Sequence, residues 1–118
     1  MIQIKTSFHP FRLKASRKDP VELEVVLTNT GPDPALVSYE VLVSRNLSMD
    51  KSGLKSNASN RLGVMEPKQN KTDLYTIFGR HIAKAGSYPI MIRVIEHHDN
   101  YNFVMKEYKK KLELMVDE

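Results

Sequence analysis

The residues of this sequence with the clearest capacity for chemistry lie in the run "EHHDN" at positions 96–100. Imidazole and carboxylate groups bind metal ions and transfer protons, so His97, His98 and Asp99 are the candidate metal ligands. Neighbouring residues of a strand point to opposite faces, and therefore only one of the two histidines could share a metal ion with Asp99 or with a nearby loop. A polar turn that contains Asn100 explains the run more simply. We expect no metal site and no cofactor.

The other residue types that catalytic sites use do not form a recognisable constellation. The chain contains 0 cysteines, which excludes thiol nucleophiles, disulfides and zinc sites built on Cys. Serine and histidine occur outside any nucleophile turn, no glycine-rich phosphate loop is present, and no pair of carboxylates stands at an informative spacing. We therefore expect that this chain is not an enzyme.

A second group with chemical potential is the lysine cluster Lys106, Lys109, Lys110 and Lys111. Such a cluster could hold phosphate groups or an acidic partner, and the formal net charge of +4 is compatible with that. Lysines on an edge strand also discourage pairing between sheets. Because the 18 basic and 14 acidic residues are mostly interspersed, binding of nucleic acid or anionic surfaces through this cluster is the alternative function and not the first one.

Two segments that could position these groups alternate apolar and polar residues, as half-buried strands do. In residues 21–29 and 36–44 nearly all odd-numbered positions are apolar, whereas most even-numbered positions are polar. The joint between them contains Gly31, which we expect at positive φ, followed by Pro32 and Pro34. Because proline lacks the amide hydrogen that a hairpin ladder requires, the two strands are predicted to lie in different sheets of a sandwich.

Five further segments predict strands: the N-terminal segment from Ile2, "RLGVM" at 61–65, "KTDLYTIF" at 71–78, "GSYPIMIRVIE" at 86–96 and "NFVMKEYKKKLELMV" at 102–116. We expect Leu74 and Phe78 to point inward, and "RLGVM" to be an edge strand within the polar stretch 45–70. The strand at 86–96 is predicted to be central. The apolar phase of the last segment changes near Lys106 or Glu107, which predicts a β-bulge there. About seven strands with turn signals between them indicate an all-β antiparallel sandwich of two sheets.

Composition and length place further bounds on the chain. A chain of 118 residues, 41% of them hydrophobic, is expected to form one domain over residues 1–118. No apolar run approaches the roughly 20 residues that a membrane-spanning helix needs. The N-terminal residues alternate like a strand and do not resemble a secretion signal. The expected location is the cytoplasm if the chain is complete, and the cell exterior if it is a module of a surface protein.

Short motifs in these segments resemble immunoglobulin-like domains. Tyr88 follows Gly86 at the entry of the penultimate strand, which is similar to a tyrosine corner, and Ile90 stands where antibody domains carry cysteine. The run Asn29-Thr30-Gly31 and the run Gly86-Ser87-Tyr88 also resemble the cell-adhesion-related bacterial modules (CARDB) and the NEW3-like modules of bacteria and archaea. Lys68 departs from that pattern, because those families have glycine in this turn. The resemblance implies an immunoglobulin-like fold with binding or assembly roles and no catalytic residues.

Several apolar residues fall on the faces that the alternation assigns to the outside, namely Val26, Leu36, Leu42, Met91 and Ile95. Loops or a curled neighbouring strand could cover them, or they could form a contact patch. We expect a non-catalytic interaction module that binds a protein or glycan through a sheet face, an edge strand or the stretch 45–70, and that is compatible with weak self-association. The candidate binding residues are Leu42, Val26 and Ile95, together with Lys109, Lys110 and Lys111 for the alternative function.

Overall fold

The computed structural model describes residues 1–9, 12–14, 20–50, 52, 55–79 and 85–117. Nine strands cover most of these residues: β1 Ile2–His9, β2 Arg12–Lys14, β3 Val21–Asn29, β4 Ala35–Val43, β5 Leu47–Ser48, β6 Asn57–Met65, β7 Asn70–Gly79, β8 Gly86–His97 and β9 Val104–Asp117. Within the described part of the chain, no helix is long and apolar enough to cross a bilayer.

The strands form two sheets, which we call sheet one, with the order β1-β3-β7-β5, and sheet two, with the order β2-β9-β8-β4-β6. Seven strands of eight or more residues correspond to the seven predicted segments, whereas β2 and β5 are short additions. All described pairings are antiparallel except the short pairing of β2 with β9. The strands β1-β3-β7 and β9-β8-β4 take the positions of A-B-E and G-F-C in an immunoglobulin domain, so the predicted fold class is confirmed.

The core follows the period of two that the sequence predicts. The inward residues of β3, β4 and β8 are almost wholly buried: Val21, Leu23, Val25, Leu27, Val37, Tyr39, Val41, Ile90, Ile92 and Val94. β3 belongs to sheet one and β4 to sheet two, so the joint with two prolines carries the chain between sheets, as predicted. β8 lies between β9 and β4, and its predicted central position is confirmed. Tyr88 is half-buried against this core, near the start of β8.

Asn29 is fully buried at the end of β3. Its side-chain nitrogen donates to the carbonyl oxygens of Asp33 and Met65, each at 2.9 Å, and its side-chain oxygen accepts from the Gly31 amide at 3.0 Å. Its carbonyl oxygen accepts from the Lys68 amide at 2.7 Å. A buried amide needs partners of this kind, because an unpaired buried polar group is costly. Asn29 therefore joins the β3–β4 corner to the β6–β7 turn.

Two turn residues differ from what the sequence predicts. Gly31 does not adopt positive φ; instead, a Cβ atom at this position would lie 3.1 Å from the main-chain nitrogen of Met1, so close approach explains the glycine. Lys68 has a φ of 68°, which is the left-handed conformation that glycine adopts at little cost. Lys68 therefore has a glycine-like backbone conformation at the position where the CARDB-like pattern has glycine.

The predicted inward face of β7 is wrong. Leu74 is 59% exposed, whereas Ile77 is fully buried and Tyr75 packs against the core. Phe78 shares the outward phase of Leu74. Asp73 also faces inward, since it pairs with buried Val25 across the ladder. Its charge interrupts the apolar alternation and hides the true phase of the strand.

Irregularities in β6 and β9 complete the fold. In β9, Lys106 pairs with Glu96 and Val104 pairs with His97, which leaves Met105 as an extra residue. The predicted bulge is confirmed, one residue before the expected position. β6 is the predicted edge strand "RLGVM" but begins earlier, at Asn57, so much of the stretch 45–70 is not a loop. The register of β6 also shifts, and Leu62 is the extra residue there.

Replacement of Asn29 by alanine should lower the free energy of unfolding by about 3 kcal/mol, because it leaves two carbonyl oxygens and one amide without their partner. Urea unfolding followed by circular dichroism measures this change. The control is Thr28→Val, which removes an exposed hydrogen bond to Asn70 and should cost about 0.5 kcal/mol or less. Equal losses in the two variants would contradict the role given to Asn29.

Candidate interaction surface

The outer face of sheet two carries rows of side chains that run across β9, β8, β4 and β6. The first row contains Val104, His97, Leu36 and Val64; the second Glu107, Ile95, Ser38 and Arg61; the third Lys109, Arg93, Glu40 and Ser59; and the fourth Lys111, Met91, Leu42 and Asn57. Residues directly opposite on neighbouring strands point to the same face. This face is therefore apolar in its first row, charged in the middle and mixed in its fourth row.

The first row continues into exposed residues of the β8–β9 turn. Val64, Phe103, Val104 and Met105 are each between 56% and 65% exposed. Together with the partly buried Leu36 they form what we call the apolar rim. Single exposed apolar side chains are common on proteins, whereas a contiguous group of large ones at one end of a sheet is typical of an interaction site.

Tyr101 folds back from the β8–β9 turn over the first row. Its ring packs edge-on against His97, with 5.1 Å between the ring centroids, and its hydroxyl accepts a hydrogen bond from the Gly63 amide at 3.0 Å. The guanidinium carbon of Arg61 lies 4.6 Å from the Tyr101 ring centroid, within cation–π distance. His97 is buried beneath this ring, and its Nε2 lies 2.6 Å from Ser38 Oγ. Tyr101 therefore fixes the turn that carries Phe103 against β6.

A row of ion pairs borders the apolar rim on the outer face. Arg93 donates to Glu40 at 3.1 Å and to Glu107 at 2.9 Å, and Lys109 lies 3.4 Å from Glu107. The hydrogen bond from Arg93 holds the pKa of Glu107 below its ordinary value. Exposed pairs of this kind add little stability, but they surround the apolar rim with polar groups. A shallow depression beside this row is lined by Ser38, Tyr39, Glu40, Ser59, Asn60, Arg61, Arg93 and Ile95.

The candidate residues Leu42, Val26 and Ile95 do not form one surface. Val26 points outward from sheet one, whereas Leu42 and Ile95 point outward from sheet two. Leu42 is 38% exposed and pairs with Met91 in the fourth row, several residues along the strands from the apolar rim. Ile95 lies in the second row, next to the rim, and is half-buried. Of the three predicted apolar contacts, only Ile95 adjoins the exposed apolar group.

The lysine cluster is divided between two faces. Lys109 and Lys111 lie on the outer face and approach Glu107 and Glu113, at 3.4 and 3.7 Å. Lys110 has the opposite phase, and its Nζ donates to the Ile4 carbonyl oxygen of β1 at 3.3 Å. The alternation of the strand therefore prevents the lysines from forming one basic surface, and the geometry gives the nucleic-acid alternative little support.

The candidate metal ligands also separate. His97 is buried beside Ser38, while His98 is exposed and its Nε2 lies 3.4 Å from an Asp99 oxygen. Among the described residues, no group of three histidine, aspartate or glutamate side chains gathers at one point. Residues 98–100 lie in the turn between β8 and β9, with Asp99 at a φ of 64°. Glu96 and His97 are buried in β8, so the interpretation of "EHHDN" as a polar turn is correct only for its last three residues.

Polar side chains join the two sheets at the edge where β6 and β7 lie. The Tyr39 hydroxyl donates to Asp73 and is hydrogen-bonded to the Tyr75 hydroxyl, and Asn60 of β6 donates to Asp73 at 3.4 Å. Burial raises the pKa of Tyr39 far above its ordinary value, and the hydrogen bond to Asp73 raises it further. Burial also raises the pKa of Tyr75. This cluster fixes the position of β6 relative to sheet one.

At the same end as the apolar rim, a buried carboxylate lies between the sheets. Glu96 faces inward from β8 and accepts a hydrogen bond from the Tyr108 hydroxyl at 3.1 Å. The main-chain nitrogen of Met1 lies 2.8 Å from Glu96 Oε1. Burial, followed by the contact with Glu96, raises the pKa of Tyr108. These contacts support the end of β8 from which the β8–β9 turn starts.

Sequence reasoning missed most of the apolar rim. Val64 belongs to an edge strand for which the sequence predicts no face, and Phe103 and Met105 belong to the last predicted strand, whose apolar phase changes near Lys106. That change of phase is the available signal, because a bulge leaves its extra residue unpaired and bends the strand. The role of Tyr101 had no signal in the sequence, since its partners Gly63 and Arg61 come from a strand about 40 residues earlier.

Comparison with known proteins supports the fold. A segment of native α2-macroglobulin from Escherichia coli, solved from domain MG7 to the C-terminus, matches 98% of this chain with a TM-score of 0.73 at 15% identity. The cryo-EM structure of native E. coli α2-macroglobulin matches 98% of this chain with a TM-score of 0.67 at 13% identity. The chain spans only 16% and 6% of those two proteins. The third match is self-complemented MyfA, the major subunit of Myf fimbriae from Yersinia enterocolitica, with a TM-score of 0.57 at 12% identity. The match covers 98% of this chain and 99% of MyfA. No family model and no curated sequence matches the chain.

The stability of this protein should fall as the pH rises above the ordinary tyrosine pKa of 10.0. The raised pKa values of Tyr39 and Tyr75 mean that the folded state keeps protons which the unfolded state loses. Each such tyrosine contributes stability that is complete below pH 10 and is lost by up to about 1.4 kcal/mol per pH unit above it. Urea unfolding between about pH 9 and 11 measures the slope. Tyr39→Phe should reduce it, and an unchanged slope would contradict the assignment.

Proposed function

We propose that this chain is a non-catalytic module that binds a protein partner through the apolar rim of sheet two. The observation that carries the proposal is the exposure of four large apolar side chains at one end of one sheet, where Val64, Phe103, Val104 and Met105 each exceed half exposure. Leaving such a group in water costs free energy that a partner recovers by covering it. Val104, Leu36 and Val64 lie in one row across sheet two, so the rim is a group of side chains at one end of the sheet rather than one protruding residue.

The chemistry of the apolar rim favours a protein over a glycan. Phenylalanine and methionine are enriched in the buried centre of protein interfaces, and methionine adapts to irregular surfaces. The ion pairs of Arg93 with Glu40 and Glu107 supply the polar margin that such interfaces have. Sugar hydroxyls require convergent hydrogen-bonding groups, which the rim residues Val64, Phe103 and Val104 do not provide.

The rim is also held in place before any partner binds. The Tyr101 hydroxyl accepts a hydrogen bond from the Gly63 amide of β6, and the Arg61 guanidinium stacks on the Tyr101 ring. These contacts attach the turn that carries Phe103 to the strand that carries Val64. A surface ordered in advance loses less entropy on binding. MyfA, the major subunit of Myf fimbriae, has a similar fold, and an assembly role is compatible with that fold. Membership of the CARDB or NEW3-like modules stays a prediction.

Val104→Ser tests this proposal, with Leu74→Ser as the matched control. Both side chains are 59% exposed, but Leu74 lies on the outer face of sheet one. Proteins captured by the immobilised chain from extracts of its source organism are compared by quantitative mass spectrometry, and each retained protein is purified and titrated calorimetrically. Val104→Ser should weaken binding at least about tenfold, whereas Leu74→Ser should leave it unchanged.

A partner that binds both variants as tightly as the natural chain would contradict the role of the apolar rim, and so would the absence of any protein that depends on Val104. Light scattering on the isolated chain covers the case in which the partner is a second copy. Self-association that Val104→Ser removes and Leu74→Ser retains would place the rim in a homo-oligomer.

A further inference from the structure

We infer that the free edge of β6 receives an extended segment of the partner protein, which adds to sheet two as a further strand beside the apolar rim. This inference rests on the proposed function, because it specifies how the same partner extends its contact from Val64 along β6. Strand addition uses main-chain hydrogen bonds for affinity and side-chain contacts for specificity. Strand addition therefore requires free peptide groups along β6.

The pairing of β4 with its two neighbours determines which peptide groups of β6 are free. The Val43 amide donates to the Ser56 carbonyl, and the Ser44 amide donates to the Pro89 carbonyl. Hydrogen-bonded pairs alternate in an antiparallel ladder. Residues of even number in β4 therefore turn their polar groups toward β8, and their partners Asn57, Ser59 and Arg61 in β6 turn theirs away from β4. No strand of the described residues lies beyond β6 in sheet two.

The other exposed edges of the sandwich carry covering segments, inward-pointing charges or occupied carbonyl groups, and among the described residues the stretch Asn57–Arg61 of β6 has none of these. The edge of β9 holds the lysine cluster and is covered by β2 at Met115–Asp117. The edge of β7 has the inward-pointing charges Lys71 and Asp73, and the edge of β1 has its Ile4 carbonyl occupied by Lys110. Charges and covering segments are the usual means by which edge strands avoid pairing.

The composition of β6 contrasts with those edges. Residues 57–65 contain no lysine, aspartate, glutamate or proline, and Arg61 is their one charged residue. The bulge at Leu62 interrupts the ladder near one end, so the regular edge runs from Asn57 to Arg61. Asn60 holds this edge to Asp73 of sheet one at 3.4 Å. β6 is therefore an ordered edge that no described strand covers, so a partner strand could join it there.

Arg61 specifies the chemistry of the incoming strand. Its guanidinium stacks on Tyr101, and among the described residues no carboxylate forms an ion pair with it. Opposite charges on paired strands stabilise a sheet, so the partner segment should carry aspartate or glutamate across from Arg61. Val64 lies beyond Arg61 on the same face, which favours an apolar residue farther along the segment, where it would contact the rim.

A library of random peptides displayed on phage and panned on the immobilised chain tests this inference. Enriched peptides should share an acidic residue followed or preceded by an apolar one at alternate spacing, and the synthesised peptides should bind in solution. Ser59→Pro is the informative variant, because it removes an amide hydrogen that points to the free edge and leaves the ladder to β4 intact. It should weaken peptide binding at least about tenfold. Ser59→Thr is the matched control and should bind as the natural chain does.

If Ser59→Pro folds poorly, hydrogen exchange of the main-chain amides of β6 can be measured on the natural chain instead, with and without bound peptide. Bound peptide should slow the exchange of the Asn57, Ser59 and Arg61 amides and leave that of the Ala58 and Asn60 amides unchanged. Failure to enrich any peptide, or peptides that bind without protecting these amides, would overturn the inference.

The failure of this inference is distinguishable from failure of the proposed function. A partner that depends on Val104 and is insensitive to Ser59→Pro would overturn strand addition and keep the apolar rim as the binding surface. Self-association that Ser59→Pro abolishes would make a second copy of this chain the occupant of β6, and it would overturn the assignment to a partner peptide.

Discussion

The buried side chain of Asn29 is the interaction on which the rest of this surface depends. Its side-chain nitrogen donates hydrogen bonds to the carbonyl oxygen of Asp33, just before β4 begins, and to that of Met65, where β6 ends. Leu36 and Val64 belong to those two strand ends and stand opposite each other in the ladder. One amide group therefore sets the distance between the corner that changes sheets and the turn that leads to β7. The resemblance to Asn-Thr-Gly modules rests on a residue whose function here is structural.

Two bulges then shape the end of sheet two that Asn29 anchors. The extra residue in β6 is Leu62 and the extra residue in β9 is Met105, so both outer strands change phase near the same end. A bulge bends its strand and increases the local twist. Tyr101 connects these two irregularities, because its turn leads into β9 while its hydroxyl accepts from Gly63. Met105 is the extra residue of the bulge in β9, and it is exposed together with its neighbours Phe103 and Val104.

The sequence predicted those parts of the fold in which a local pattern decides the outcome. The alternation of 21–29 and 36–44, and the prolines between them, were sufficient to place β3 and β4 in different sheets. The face of β7 was not predictable from its own residues, because the inward position of half-buried Asp73 depends on Tyr39 from the other sheet. β6 is rich in asparagine and serine, which disfavour strands, and pairing with β4 overrides that preference. The apolar rim escaped prediction because it is assembled from strand ends and a turn.

The apolar rim and the β6 edge supply different parts of a binding free energy. A stable interface usually buries about 800 Å² on each partner, and five side chains at the end of a sheet cover only part of such an area. A strand beside Asn57–Arg61 would extend the contact along the sheet through main-chain hydrogen bonds, which are nearly independent of sequence. Discrimination would then come from the charge of Arg61 and the apolar contacts at Val64 and Phe103. Main-chain hydrogen bonds to β6 would provide contact area, and the side chains of Arg61, Val64 and Phe103 would provide selectivity. A partner that combines an acidic strand with an apolar end is therefore the one that this surface distinguishes best.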